Sequence, residues 1–208
     1  NGNHLKTAPD ASSLLIRTYF WDRDLRRAHA LPRIERLDVS TKPEPLNPET
    51  LLRGLLGTAA FVDGSLDWWN RFQGIQTAPN ELIVMPDDGT VQTPSQVRYI
   101  NGIVDLERDQ ALVLDFTPKD EPGYWSWVLQ NLWGETPDWR YHPIVRNNRE
   151  LERGVNGSVQ IVISHRDPGV ANWMDMAGHR RLLLSLRWRG ESALPDVKAR
   201  VAPLSEFA

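Results

Sequence analysis

From residue 80 to the C-terminus, short apolar runs alternate with turn residues. The runs are Leu82–Met85, Val97–Val104, Ala111–Phe116, Tyr124–Trp133, Ser158–Ser164, Leu182–Trp188 and Val197–Val201. Asp88-Gly89, Pro118, Pro122-Gly123, Asn156-Gly157, Pro168-Gly169 and Gly190 punctuate them. Runs of this length, rich in β-branched and aromatic residues, read as strands. Many of them at regular spacing predict an all-β fold, a jelly-roll-like antiparallel β-sandwich. Asn156-Gly157 ahead of an apolar run is the strongest hairpin signal.

Upstream the pattern changes. "STKPEPLNPET" is a proline-rich linker that ends in a helix start: Asn47 as cap, Pro48 in the first turn, Glu49 at the positive end of the dipole. Leu52, Leu55, Leu56, Ala59 and Val62 then fall on one helical face, and Asp63-Gly64 is expected to break the helix before a short second turn carrying Leu66, Trp69 and Phe72. The sandwich therefore carries one short helical insertion. Leu14–Trp21 reads as a strand and Arg33–Leu37 as a short edge strand. The segment from Asn3 also parallels the one from Asn172, with Leu14-Leu15 opposite Leu183-Leu184 and Arg17 opposite Arg187. These readings divide the chain into terminal strands of an upstream or shared β unit (1–37), a linker and helical segment (38–79) and the sandwich (80–208). The expectation is the C-terminal part of a longer protein.

Composition narrows the chemistry. The absence of cysteine removes disulfides and thiolate sites, so any metal must be held by His, Asp, Glu or backbone oxygen. Net charge is −3, which removes the basic excess of a nucleic-acid binder. No apolar run approaches the length of a membrane span. The expectations are no nucleic acid, no membrane and a cytoplasmic location. Charge is uneven: residues 139–208 hold 11 Lys and Arg against 7 Asp and Glu. Nearly all of that excess is arginine, whose fork suits carboxylate, sulfate or phosphate.

The chemistry-bearing residues gather late in the chain. His165 and Asp167 are two apart and point to one side of an extended chain, and His179 follows a glycine that lets it fold back. Together they make a candidate metal set, with a divalent ion as the implied cofactor. They also make a candidate acid/base group, with Asp175 as orienting carboxylate. The plainer reading gives Asp167 to the turn amides and His165 to the strand end. Asn172-Trp173 reads either as a structural plug or as a stacking wall for a ligand. Trp125, Trp127 and Trp133 on one strand face read either as core or as a sugar platform. Trp139, His142 and Arg146 lie on loops, where ligand contacts concentrate. With Asn172, Trp173 and Arg187 they form the candidate ligand-binding set. Asp87-Asp88-Gly89 reads as a hairpin turn or a calcium donor.

Several segments together, "GYWSWVLQNLW", "HP…RNNRELE", "NGSVQIVISHRDPG", "NWMDMAGHRRLLLSLRW" and the final "PL", resemble bacterial proteins with the domain of unknown function 1214. The most specific part is His165-Arg166-Asp167-Pro168-Gly169 with Asn172, Trp173, Asp175, Ala177, Gly178 and His179. Met176 departs from the small polar residue expected there. The resemblance implies a jelly-roll-like sandwich, usually behind further upstream sequence, and no agreed activity. Three function classes follow: a module binding a small molecule, either a carbohydrate or an organic anion; a metal-assisted or acid/base enzyme of hydrolase or lyase type using His165, Asp167 and His179; and a structural or assembly domain. Exposed sheet edges make a homo-oligomer a further expectation.

Overall fold

The computed structural model describes residues 6–11, 14–22, 24, 29, 32–33, 42, 45–74, 78–86 and 96–207. Two compact units emerge, Asn1–Leu31 and Pro32–Ala208. In the first, residues 14–20 have no regular secondary structure and belong to no sheet. The strand expected over Leu14–Trp21 therefore does not form there, since an apolar run becomes a strand only where a neighbour takes its backbone donors and acceptors. The edge strand expected at Arg33–Leu37 and the turn at Asp87-Asp88-Gly89 fall largely or wholly outside the described residues.

The second unit is an all-β sandwich with one helix. Strands β1 (Ile83–Val84), β2 (Val97–Asp105), β4 (Tyr124–Gln130), β5 (Val145–Asn147) and β8 (Arg181–Arg189) form one sheet in the order β1-β2-β8-β4-β5. Strands β3 (Gln110–Phe116), β6 (Val159–Ser164), β7 (Trp173–Asp175) and β9 (Lys198–Pro203) form the other in the order β7-β6-β3-β9. Pairing is antiparallel except between β6 and β7, which run parallel. The turn at Asn156-Gly157 forms, with the Gly154 and Ser158 backbones bonded across it. It does not make a hairpin: the strand before it, β5, and the strand after it, β6, lie in different sheets.

Alternation along the strands decides what is inside. Trp125, Trp127 and Leu129 of β4, Leu112 and Leu114 of β3, Ile161 and Ile163 of β6, and Leu182, Leu184, Leu186 and Trp188 of β8 are fully buried in one core cluster. The tryptophans of β4 are thus core and not a sugar platform; Trp133, past the strand end, is exposed. Met174 and Met176 are fully buried in the same cluster, so the unexpected Met176 fills core space.

Trp125 also closes one end of the sandwich. Its indole N–H donates to Glu121 at 2.8 Å, and Glu121 pairs with Arg153. The Arg153 guanidinium holds the Glu121 carboxyl below its ordinary 4.5; partial burial opposes this and the Trp125 bond reinforces it. A depressed carboxylate contributes stability that is full above its unfolded value and is lost as pH falls through its folded one. Glu121→Gln should therefore flatten the acid limb of the stability curve below about pH 4.5, measured by urea unfolding across pH. An unchanged limb would count against this pairing.

Helix α1 runs unbroken from Pro48 to Gly74. Asn47 caps it, its side-chain oxygen accepting from the Thr50 amide at 2.8 Å. The break expected at Asp63-Gly64 does not occur, because one interior glycine costs only about 1 kcal/mol and leaves the hydrogen-bond ladder whole. The C-terminal end of α1 seats Trp69 and Phe72 on the outer face of the five-stranded sheet, against Met85, Ile103 and Leu183.

Candidate functional site

The loop after β6 is held together by its own polar groups. Asp167 accepts from the Gly169 amide at 2.8 Å, closing the Pro168-Gly169 turn. His165 donates Nε2–H to the Leu106 carbonyl at 3.0 Å, tying the loop to the end of β2. His179 is exposed. The three side chains are therefore not brought together. Among the described residues no cluster of three His, Asp or Glu could hold a metal ion. The divalent-metal expectation on His165, Asp167 and His179 finds no ligand set, because each ring or carboxylate points to its own local partner or to solvent.

Asp175 does meet a histidine, but it is His142. Nδ1 of His142 lies 2.6 Å from Asp175 Oδ2, and the other carboxylate oxygen accepts from the Ala177 amide at 2.8 Å. Ala177 holds a left-handed backbone, φ 49°, which turns its N–H toward that oxygen. The loop carrying His142 is anchored by Asp138, whose backbone carbonyl accepts from the Tyr141 and His142 amides. The Asp138 carboxyl is pulled down to about 2 by its hydrogen bond with Arg140. A histidine held through Nδ1 presents Nε2 outward, the arrangement of a base with its orienting carboxylate. Neither of the two main cavities is lined by His142.

The neighbouring candidates are structural. Arg146 donates from Nε and Nη2 to the Trp173 carbonyl, at 3.1 and 2.9 Å, and so joins the edge strands β5 and β7 of opposite sheets. The Trp173 indole donates to Ser164 Oγ at 3.0 Å. Asn172 is buried, with its side chain bonded to the Glu152 amide and to the carbonyls of Glu152 and Gln160. Trp139 is 39% exposed. His142, Arg146, Trp173 and Asp175 are thus brought together through β5 and β7, with Asn172 buried beside Trp173.

Arg187 is elsewhere. Its row on the outer face of the five-stranded sheet is Tyr99–Arg187–Ser126, and the next row is Asn101–Ser185–Val128. Asn101 and Ser185 are buried although they face away from the core, and Trp68, Trp69 and Phe72 of α1 line the same cavity over this part of the sheet. What remains is a cavity of about 180 Å³, below the roughly 300–1,000 Å³ of pockets for drug-sized ligands. Its walls are the aromatic end of α1, Met85 and Leu183; its polar groups are Tyr99, Asn101, Gln130, Ser185 and Arg187. Ser185 donates to the Asn101 side-chain oxygen at 2.5 Å. The Arg187 guanidinium lies 5.8 Å from the Tyr99 ring centre, and its Nε is buried with no hydrogen-bond partner among the described residues. Arg187 is the one formal charge among the lining residues. Sequence reasoning missed Trp68, Tyr99, Asn101 and Ser185 as site residues. The available signal was a pair of polar residues at alternate positions in the middle of each of two strands, Tyr99 and Asn101 in β2 and Ser185 and Arg187 in β8.

A larger, open groove of about 750 Å³ lies along the four-stranded sheet. Its charges offset one another, Asp115, Glu152 and Asp196 against Lys119, Arg153 and Lys198, and Arg153 is committed to Glu121. The smaller cleft is the better-formed site: it is aromatic-walled and holds a buried unpaired donor.

No family model matches the chain and no curated protein does. The chain is similar to a solved structure of an uncharacterized protein from Burkholderia cenocepacia, 30% identical with a TM-score of 0.71 over 83% of this chain and 49% of that one. It is also matched to the VPA0106 protein from Vibrio parahaemolyticus, 14% identical with a TM-score of 0.39 over 76% of this chain and 47% of that one. The chain spans about half the length of each. Among the described residues no helix is long and apolar enough to cross a membrane.

Proposed function

We propose that this chain is a binding module for a small organic anion, held in the cleft between the C-terminal end of α1 and the five-stranded sheet. The observation that carries this reading is the buried, unpartnered Nε of Arg187 in a cavity with no carboxylate in its walls. An unsatisfied buried donor on a cation costs more than 1 kcal/mol, and a ligand carboxylate offers the fork its bidentate partner. Trp68, Trp69, Phe72 and Leu183 supply apolar walls for the body of the ligand, and Gln130 and Tyr99 supply polar contacts at its edge. The small volume favours a short or monocyclic acid. A carbohydrate is a weaker fit, because the Trp68 face is already stacked on Phe72 at 5.1 Å. Acid/base chemistry at His142 and Asp175 has less support, since that pair lines neither cavity.

The test is calorimetric titration with a panel of small aliphatic and aromatic carboxylates, their neutral amides and simple sugars. Carboxylates should bind and raise the melting temperature, while amides and sugars should not. Arg187→Met should weaken binding about tenfold or more, and Arg187→Lys should not restore it, because a point charge does not reproduce the fork. Equal affinity in Arg187→Met, or no carboxylate binding at all, would sink the reading.

A further inference from the structure

Apart from its C-terminal end, α1 contributes no residue to either core cluster of the sandwich, and its exposed side chains are the wrong kind for water. Leu51, Leu52, Leu55, Leu56, Val62 and Leu66 are between 46% and 62% exposed. At 100° per residue they fall, with Ala59, into one stripe. The stripe continues at the far end of the helix into Trp69, which is seated on the sheet. It is thus the extension of a face already used for packing. An apolar patch of this kind on a soluble domain marks a contact surface.

We infer that this stripe is the contact between two copies of the chain, with their α1 helices packed antiparallel and crossing at the level of Ala59 and Ala60. The charges choose this arrangement. Glu49, Arg53, Asp63, Asp67 and Arg71 all lie on one flank of the stripe, Thr58 and Ser65 lie on the other, and Phe61 and Trp68 lie on the face opposite the stripe. In an antiparallel pair like flanks adjoin. A crossing at the level of residue 60 then sets Glu49 of one copy beside Arg71 of the other, and Arg53 beside Asp67. The existing Asp67–Arg71 pair, 2.9 Å, becomes half of a four-residue network at each end of the contact. A parallel pair would instead set the charged flank of one helix against Thr58 and Ser65 of the other, where the charges meet no opposite charge. Large side chains also meet in a workable order: Leu55 and Leu56 face Val62 and Leu66, and the small Ala59 occupies the point of closest approach. The mixed signs on the flank, three acids to two bases, fit a helix partner better than an anionic lipid surface, which selects basic flanks.

The chain has no cysteine, which makes the geometry directly testable. Sedimentation should give a dimer for the unmodified chain and a monomer for Leu55→Glu. Unchanged circular dichroism is expected in that variant, because Leu55 is 61% exposed and outside both core clusters. Ala59→Cys should oxidise to a covalent dimer. Glu49→Cys should cross-link when mixed with Arg71→Cys, and Leu51→Cys should not cross-link to itself. Arg53→Glu should weaken the dimer about tenfold, and adding Asp67→Arg should restore it. A monomeric native chain, a dimer that survives Leu55→Glu, or efficient self-linking of Leu51→Cys would each overturn the inference.

Discussion

Asn172→Ala should lower the free energy of unfolding by about 2–4 kcal/mol, one of the largest losses available outside the apolar core. Its side chain bonds one backbone amide and two carbonyls on two segments, the stretch at Glu152 and strand β6 at Gln160. Removing it leaves those groups without their side-chain partner. Asn172→Asp should be at least as damaging, since a carboxylate would face the carbonyls of Glu152 and Gln160 where the amide now donates. The measurement is urea unfolding, with the midpoint falling and the slope unchanged. A near-wild-type midpoint would return Asn172 to the ligand-contact set in which the sequence reading placed it.

Gly134→Ala should cost about 2–3 kcal/mol and should disturb the cleft as well as the fold. Gly134 has φ 76°, a conformation that costs an L-residue roughly 1 kcal/mol or more. A β-carbon there would also fall inside the Trp69 indole. The indole must shift, and it is a wall of the cavity around Arg187. The expected result is a lower melting temperature together with weaker carboxylate binding. An alanine variant that melts normally and binds normally would show that α1 does not close the cleft as described.

Strand positions were largely legible in the sequence, because alternation in β2, β3, β4 and β8 is driven by burial on one face and survives any choice of partner strand. Strands β5 and β7 were not legible. Each is three residues long, too short for a period to show, and each is placed by pairing with a longer strand, β5 with β4 and β7 with β6. The helix start was legible from Asn47-Pro48-Glu49. Its continuation was not, since the penalty of Gly64 is small beside the cooperativity of a long ladder. For the site, sequence reading found Asp175 and His142 but not their pairing, which joins residues 33 positions apart. It grouped His165, Asp167 and His179 by nearness in the chain, whereas backbone groups of the loop and of β2 claim two of them. Arg187 was read as a ligand contact from its charge alone. What makes it a site, the burial of Asn101 and Ser185 beneath an aromatic helix end, depends on a contact that no local pattern encodes. The resemblance to the domain of unknown function 1214 rests on the quoted segments, and the Burkholderia cenocepacia structure supports the sandwich independently of it.

The order of strands in the two sheets also bears on how the chain is made. β8 is the partner of both β2 and β4, and β3 is closed on one side by β9. Asn101 must wait for Ser185, and Ala111 for Ala202. A ribosome that has delivered the first 180 residues has therefore produced long apolar strands with open edges and no means of closing the five-stranded sheet. Such non-local pairing slows folding and exposes unpaired strands to other chains. The sandwich should assemble only after its last segments emerge. Nascent chains stalled before Arg181 should stay protease-sensitive and bound to chaperones, and those released beyond Pro203 should become resistant.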